Sequence, residues 1–321
     1  MKLKAAPVEI PPDEPFRHDL LERKVCAEQL TELLKSSDDS LVLCISAEWG
    51  NGKTTFLKMW RQHLINEEFK TLYFNAWEND YSEDALVSLI GELSAGIGEL
   101  RLSPEKTKRI KGYLDKAKKL GAVLIKKGVP LAVRMGTGGI INAAEFNLDE
   151  DAITKLSELG EEVAKKQIEK YEESKKTING FREELKSFAD EITSPEEGTD
   201  RFPLVIFVDE LDRCRPPYAV QVLEKVKHLF NVPNIVFVIA VDKDQLGHSI
   251  KSMYGQGMDV GGYLRRFIDL DFSLPIPDTG AFCDAQFAKF GLVEIFKKRT
   301  GDLVRNDVAN LKAAFTAFLK A

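Results

Sequence analysis

Residues 41–54 read LVLCISAEWGNGKT, an apolar run that leads directly into a glycine-containing turn. The run at 41–46 is rich in β-formers and predicts a buried parallel strand. The turn, AEWGNGKT at 47–54, matches the phosphate-loop pattern G-x-x-x-x-G-K-[ST], except that Ala47 replaces the first glycine. A helical pattern follows over 53–65, so the loop has the strand-to-helix context that the motif requires.

Each residue type in this loop has a chemical reason. Gly50 and Gly52 let the backbone curl so that successive N–H groups point at phosphate oxygens, and the positive end of the following helix adds to the attraction. We expect Lys53 to reach the β- and γ-phosphates and the Thr54 hydroxyl to coordinate Mg²⁺. The predicted nucleotide-binding residues are Glu48, Trp49, Gly50, Asn51, Gly52, Lys53, Thr54 and Thr55.

A second apolar strand ends in two adjacent carboxylates. Residues 203–213 read PLVIFVDELDR, which predicts a strand over 204–208 with Asp209 and Glu210 at its carboxyl end. Open α/β sheets bind ligands at that edge, and a carboxylate there can hold Mg²⁺. We therefore assign Asp209 to the metal and Glu210 to the base that activates the attacking water. Alone, such a pair also fits a solvated strand end or a helix cap.

Three nearby residues keep two interpretations. Asp212 and Arg213 are either a cap with an ion pair or direct participants in the site. Asp242 follows the predicted strand 235–241, at the same edge. It either senses the γ-phosphate or the attacking water, or it is a turn-forming aspartate.

The rest of the chain alternates strands with helices. Near-continuous apolar strands in such an alternation predict a parallel sheet covered on both faces. The further predicted strands are 71–76 and 267–272, and the further predicted helices are 19–34, 82–100, 218–230, a shorter one leading to Arg266, and a tail from Ala281.

Bulk composition narrows the class of protein. The chain has 321 residues, 44% of them hydrophobic, and a net charge of −6, so the balance argues against a nucleic-acid partner. Its four cysteines include no CxxC pair, which indicates reduced thiols in a cytoplasmic protein.

The charged stretch 101–200 is predicted to be mostly helical, with a break near 136–142. Lys126, Lys127 and Arg134 are costly inside a bilayer.

Several of these segments resemble the KAP P-loop NTPases. They are HDLLERK (18–24), WGNGKTT (49–55), FNAW (74–77), VDELDRC (208–214), VFVIAVD (236–242) and YLRRFIDLDFSLP (263–275). The resemblance implies ATP with Mg²⁺, and an ASCE/AAA+-like parallel sheet of five strands in the order 5-1-4-3-2. Many members carry membrane helices between the two nucleotide motifs. The part of the insertion at 121–144 is similar in place to these helices, and implies at most a peripheral contact with the inner face of the membrane.

The same resemblance implies a domain layout and an assembly. We expect an N-terminal arm and the first half of the NTPase core at 1–100, a helical insertion at 101–200, the second half of the core at 201–280 and the start of a helical C-terminal region at 281–321. Related ATPases place an arginine before the fifth strand, where it reaches a neighbour's γ-phosphate. Arg265 and Arg266 stand there, with Arg266 the preferred catalytic candidate, which implies a homo-oligomer. Surface ion pairs are the alternative.

Four functions compete on this sequence. The first is an ATP-driven conformational or assembly switch, and phage exclusion by some bacterial members of the resembling family suggests anti-phage defence. The second is a nucleotide-binding scaffold with little turnover, whose insertion docks a protein partner or a membrane surface. The third is a nucleic-acid motor, but the sequence lacks the stripe of basic and aromatic residues that binds a single strand. The fourth is a small-molecule kinase, but no acceptor pocket is visible in the sequence, and Glu210 beside Asp209 favours water as the nucleophile.

Overall fold

The computed structural model describes residues 8–37, 39–100, 102–126, 150–195, 200–275 and 279–292, together with 294, 310, 312 and 313. Strands within these ranges are β1 (Leu41–Ser46), β2 (Thr71–Asn75), β3 (Leu204–Asp209), β4 (Ile235–Val241) and β5 (Leu270–Ser273). The helices are α1 (Lys24–Lys35), α2 (Lys53–Asn66), α3 (Ala85–Gly96), α4 (Pro104–Lys126), α5 (Glu150–Thr193), α6 (Pro216–Leu229), α7 (Lys243–Tyr254), α8 (Val260–Leu264) and α9 (Thr279–Phe290).

The described strands form one parallel sheet in the order β2-β3-β4-β1-β5. This is the predicted order read from the other edge, so the predicted P-loop fold is confirmed. Because all strands run the same way, their carboxyl ends lie at one edge of the sheet. Ser46 at the end of β1 pairs with Val241 at the end of β4, and Asn75 at the end of β2 pairs with Asp209.

Helices cover both faces of the sheet. On one face, α1 and α2 pack on strand residues such as Leu43 and Phe207. On the other, α3, α6 and α7 pack on residues such as Cys44 and Val208. Every residue of β3 and β4 is buried, which is why these strands read as continuous apolar runs.

Trp60 fixes α2, and therefore the loop that precedes it, to the sheet. Its side chain is fully buried, with the ring stacked on Phe56 at 5.9 Å and edge-on to Phe207 at 5.5 Å. Its Nε1 donates a hydrogen bond to the Thr31 hydroxyl at 3.0 Å, which satisfies the indole and ties α1 to the same cluster.

Two helices begin later than the sequence predicts. The helix predicted at 19–34 starts only at Lys24, because the Asp19 carboxylate accepts the Lys24 N–H and the intervening chain turns. The helix predicted at 82–100 starts after Asp84, whose side chain accepts an N–H of the first turn. It ends as a short 3-10 turn at Ile97–Glu99.

The predicted fifth strand, 267–272, is wrong in its first half. β5 begins at Leu270, since the Phe267 N–H still bonds to the Leu264 carbonyl in a turn after α8. Asp269 is the first residue here to bond to β1. Phe267 and Ile268 are apolar because they pack into the core from a turn. Periodicity alone does not distinguish such a turn from the start of a buried strand.

The predicted insertion is helical where the structure describes it. Ion pairs Arg109–Glu191 and Lys116–Glu184 join α4 and α5 in an antiparallel pair. The base of the pair belongs to the core of the sheet, where Phe181 is fully buried against α6 and its neighbours. The break predicted near 136–142 lies outside the described residues.

In the part of the chain that the structure describes, every helix is too short or too polar to span a bilayer. Of the stretch 121–144, only the part up to Lys126 is described.

Candidate functional site

The loop between β1 and α2 has the backbone that its glycines predict. Gly50 and Gly52 have φ values of +85° and +75°, in the left-handed region that glycine enters without steric cost. Ala47, at the position of the missing glycine, donates its N–H to the Val241 carbonyl at 3.2 Å. The replacement therefore leaves the loop held against the end of β4.

Lys53 is the first residue of α2 and is only 9% exposed. Its Nζ donates to the carbonyls of Ala47 at 2.6 Å and Glu48 at 3.2 Å, and it lies 4.0 Å from the Asp212 carboxylate. Burial lowers the pKa of the ammonium, while the nearby carboxylates, Asp212 first, act to raise it. Neutral carbonyls are weaker acceptors than phosphate oxygens, so an incoming phosphate competes well for these protons.

Asp209 ends β3 with a carboxylate that is almost fully buried. Its Oδ2 accepts the Tyr73 hydroxyl at 2.6 Å, and its Oδ1 accepts the Glu210 N–H at 2.9 Å. Burial, and then the charge of Asp209, raise the pKa of Tyr73, so this phenol stays protonated and keeps donating. The carboxylate is thereby fixed in one orientation.

Thr54 provides a second oxygen close to Asp209. The two residues line one cavity together with Lys53, and the Thr54 hydroxyl makes no hydrogen bond to any residue that the structure describes. A carboxylate and a free hydroxyl are oxygen ligands of the kind that Mg²⁺ prefers, with the remaining positions left to water and phosphate. The donor set therefore fits the metal that the loop motif implies.

Glu210 is held in an uncommon backbone conformation with φ of +59°, which is a strained region for a residue with a side chain. Its carboxylate accepts from Asn75 Nδ2 at 3.2 Å and pairs with Arg213 Nη1 at 2.8 Å. The Arg213 guanidinium lies over the Trp77 ring at 5.6 Å. Both carboxylate oxygens of Glu210 thus have a donor.

Asp212 links the loop to β3 and β4. Its Oδ2 accepts the Trp49 indole N–H at 2.5 Å and the Asp242 backbone N–H at 3.0 Å. Asp242 in turn uses Oδ1 to accept the N–H groups of Asp244 and Gln245, which caps α7, and Oδ2 to accept the Trp49 backbone N–H. Backbone donors therefore engage both oxygens of Asp242, which favours capping over γ-phosphate sensing.

The cavity at this edge has a volume of about 160 Å³. Its lining comprises Trp49, Gly50, Gly52, Lys53, Thr54, Asp209, Glu210, Asp212 and Arg213. Of the residues predicted for the site, Glu48, Asn51, Thr55, Asp242 and Arg266 are not part of this lining. A second cavity of about 470 Å³ adjoins the first across Thr54 and Glu210, and Tyr73 and Asn75 contribute to its wall.

Arg265 and Arg266 lie away from this cavity. They follow α8 and precede β5, whereas the phosphate loop follows the carboxyl end of β1, the parallel neighbour of β5. Both side chains are exposed. Neither forms an ion pair with a described residue, so the alternative of surface ion pairs finds no support there.

Three residues that contact the site or its loop, Tyr73, Asn75 and Arg23, have no role predicted from the sequence, and a fourth, Arg213, has two. Tyr73 and Asn75 hold the two carboxylates, and the segment FNAW around Asn75 was noticed only as a resemblance. Arg213 was left open between an ion pair and a direct role, and it does both by pairing with Glu210 and lining the cavity. Arg23 donates to the loop carbonyl of Asn51 at 2.5 Å, a contact for which no local pattern exists.

Comparison with known proteins yields an archaeal relative and two solved structures. The relative is an uncharacterized protein of Methanocaldococcus jannaschii, 33% identical over 191 residues, which are 53% of this chain and 88% of that protein. The structures are those of the ORC2 protein of Aeropyrum pernix in its ADPNP–ADP complexes and in its ADP form, at 13% and 10% identity and TM-scores of 0.34 and 0.32. Each match covers 91% of this chain but only 55% of the ORC2 chain.

A family model gives the assignment. The model for the KAP family P-loop domain matches residues 23–312, which is most of the chain and includes both nucleotide motifs. P-loop NTPases bind nucleotides, usually with Mg²⁺, and the loop, lysine and paired carboxylates around the cavity agree with that property. The chain therefore belongs to the KAP family of P-loop NTPases.

Proposed function

We propose that the protein binds ATP with Mg²⁺ and hydrolyses it, and that the bound nucleotide drives a conformational or assembly switch. One observation carries the proposal: Lys53 and Thr54, from the loop after β1, and Asp209 and Glu210, from the end of β3, line one cavity. Two segments far apart in sequence thus bring a cation, a metal-ligand set and a candidate base together.

The binding roles follow from the groups present. Lys53 and the loop N–H groups of residues 48–55 bind the phosphates, and Thr54 and Asp209 hold the metal. Bound there, Mg²⁺ would neutralise charge that develops on the phosphate oxygens. Tyr73 keeps the Asp209 carboxylate oriented through its hydrogen bond.

Glu210 acts as the base that takes a proton from the attacking water. In the present arrangement Asn75 and Arg213 occupy its oxygens. One of these donors has to give way before the carboxylate can accept a proton from water. Arg213 also lines the cavity, so the terminal phosphate of a bound triphosphate attracts its guanidinium. Nucleotide entry would thereby weaken the hold on Glu210.

The assembly part of the proposal rests on Arg265 and Arg266. They are exposed, without ion pairs to described residues, and remote from the cavity of their own chain. An arginine in that position does not reach the nucleotide of its own chain, so a catalytic role for it requires a second copy. Hydrolysis would then require neighbours, and the resemblance adds anti-phage defence as the biological setting. A plaque assay with wild type and the Lys53→Ala variant tests that setting. Absence of protection by wild type contradicts it, and protection that persists in the variant contradicts its dependence on the nucleotide.

The decisive experiment is phosphate release from ATP measured across protein concentration, with Lys53→Ala as the inactive control. We expect Mg²⁺-dependent release whose rate per molecule rises with concentration. Mixing Lys53→Ala with Arg266→Ala should restore activity, because each variant supplies the group that the other lacks. The same mixture made with Arg265→Ala shows which arginine acts. Absence of release at every concentration, with ATP bound, contradicts hydrolysis and leaves the second candidate.

The second candidate is a nucleotide-binding scaffold that docks an anionic membrane surface through α4. Helix α4 carries eight basic residues and two acidic ones, a balance of +6 within a chain of net charge −6. Four exposed lysines lie on one face of the helix and have no ion-pair partner among the described residues: Lys108, Lys111, Lys119 and Lys126. We call them the lysine stripe.

Apolar side chains beside the lysine stripe favour a lipid partner over a nucleic acid. Val123 and Ile125 are each 37% exposed in the last two turns of α4, where they can enter the boundary between headgroups and acyl chains. Sedimentation with phosphatidylserine vesicles at low salt tests this candidate, against neutral vesicles and duplex DNA. Binding to DNA alone contradicts the lipid assignment.

A further inference from the structure

Arg23 is a buried cation beside the phosphate loop that neither nucleotide motif contains. It stands directly before α1 and is 2% exposed. Its Nη1 donates to the Asn51 carbonyl at 2.5 Å and its Nη2 to the Pro275 carbonyl at 3.2 Å. A Cβ atom on Gly52 would lie 3.4 Å from Nη1. Arg23 thus ties the loop after β1 to the chain that leaves β5.

The charge of Arg23 has no ion-pair partner among the described residues. Its Nε is buried without an acceptor, and burial lowers the pKa of the guanidinium. The carboxylate of Asp19 acts on it electrostatically but not at ion-pair distance, and one oxygen of that carboxylate accepts the Lys24 N–H. A buried charge without a close counter-charge costs free energy. The other oxygen of the Asp19 carboxylate is also buried without a partner. Asp19 therefore balances the guanidinium only from beyond ion-pair distance, and a closer anion would stabilise the charge further.

The bond to Asn51 acts on the next residue. The Asn51 carbonyl and the Gly52 N–H belong to one planar peptide group. A donor fixed on the carbonyl therefore also fixes the direction of the N–H. Because the donor is charged, it polarises the peptide and strengthens the hydrogen bond that the N–H makes. Gly52 immediately precedes Lys53, within the run of loop N–H groups that faces phosphate.

We propose that Arg23 is a positioning residue of the nucleotide site, which aligns and polarises the Asn51–Gly52 peptide for the phosphate chain of a nucleoside di- or triphosphate. The phosphates add negative charge on the other side of that peptide to the charge of the Asp19 carboxylate. This inference rests on the proposed function, since it takes the loop as phosphate-binding, but it requires no hydrolysis.

The test compares ligands that differ only in phosphate number. Dissociation constants for ATP, ADP and AMP are measured by competition with a fluorescent ATP analogue. The variants are Arg23→Gln, which keeps a donor but removes the charge, and Arg23→Lys, which keeps the charge but reaches one carbonyl. Arg17→Gln, an exposed arginine of the same segment, is the control. We expect Arg23→Gln to weaken ATP about 10–100-fold, ADP less and AMP least, and Arg23→Lys to fall between Arg23→Gln and wild type.

The grading with phosphate number separates positioning from a merely structural role. Thermal unfolding of the nucleotide-free variants is measured alongside. Equal losses for ATP, ADP and AMP, or no loss, overturn the proposal even where wild type binds ATP tightly. If wild type binds no ATP, the proposed function fails and this inference fails with it. Should Arg23→Gln not fold, the same graded loss is required of Arg23→Lys.

Discussion

The cavity edge of the sheet and the α4–α5 pair use charge in opposite ways. At the cavity, Lys53 and Asp209 are nearly buried, and each is held by hydrogen bonds to neighbouring groups. Along α4, the lysine stripe projects into solvent without partners among the described residues. Fixed charges in a poorly hydrated place can select one ligand geometry, whereas exposed charges attract any anionic surface and are screened by salt. The buried charges at the cavity are therefore suited to selecting one ligand, and the exposed lysines of α4 are not.

The largest effect that this contrast predicts is on Glu210. Replacing Glu210 with Gln keeps the shape and the contact with Asn75 but removes the base. The rate of phosphate release should fall about 100–10,000-fold, while ATP affinity changes little. Single-turnover assays and equilibrium binding measure the two quantities. Glu83→Gln, an exposed acid, is the control, and unchanged phosphate release in Glu210→Gln would remove Glu210 from the mechanism.

A smaller effect should appear on the lysine stripe. Each lysine near an anionic membrane contributes about 1 kcal/mol, so loss of two weakens vesicle binding about 30-fold. Lys111→Glu with Lys119→Glu should exceed that loss, because the two new carboxylates also repel the surface. ATP affinity should stay unchanged. Lys175→Glu with Lys176→Glu reverses two exposed charges on α5 and is the matched control. Equal losses from both pairs would mean that net charge, not this face of α4, governs vesicle binding.

Tyr73 provides a test of how the buried charges at the cavity are held in place. Tyr73→Phe removes only the hydroxyl that Asp209 accepts. With its orientation loosened, the carboxylate should bind the metal more weakly, and the Mg²⁺ concentration for half-maximal activity should rise about tenfold. Tyr81→Phe, at an exposed tyrosine outside the contact, should leave that concentration unchanged. A fall in maximal rate without a shift in Mg²⁺ dependence would contradict this role.

The smallest predicted effect concerns His63 in α2. Burial lowers the pKa of His63 below its usual 6.5, so the unfolded chain takes up the proton more readily than the folded one. Stability should therefore fall as pH drops through that region. His63→Gln should flatten the fall in unfolding temperature measured between about pH 8 and pH 5. His18→Gln, at an exposed position, should keep the wild-type slope.

Sequence patterns predicted the elements that depend on local physics. β1 and β4 are continuous apolar runs because both of their faces are covered, and their bounds agree with prediction. The glycines of the phosphate loop were predicted because the turn requires positive φ at Gly50 and Gly52. β5 was misplaced, since its four residues are exposed or half-exposed and carry no such run.

The supporting contacts of the site were beyond local patterns. Tyr73 lies 136 residues from Asp209 in sequence, and Arg23 lies 252 residues from Pro275. Such pairs form only once the sheet order brings β2 next to β3 and the end of β5 near the loop. No spacing or periodicity in a single chain encodes them, so they could be recognised only in the folded structure.

The tryptophans are placed so that their fluorescence reports on the cavity. Trp60 is sealed in the core, whereas Trp49 and Trp77 are 52% and 53% exposed. Trp49 lines the cavity directly. The Trp77 ring lies against the guanidinium of Arg213, which also lines the cavity. Fluorescence emission from Trp49 and Trp77 should therefore change when a ligand enters, over a constant background from Trp60. Trp49→Phe and Trp77→Phe would then resolve in time which wall moves first.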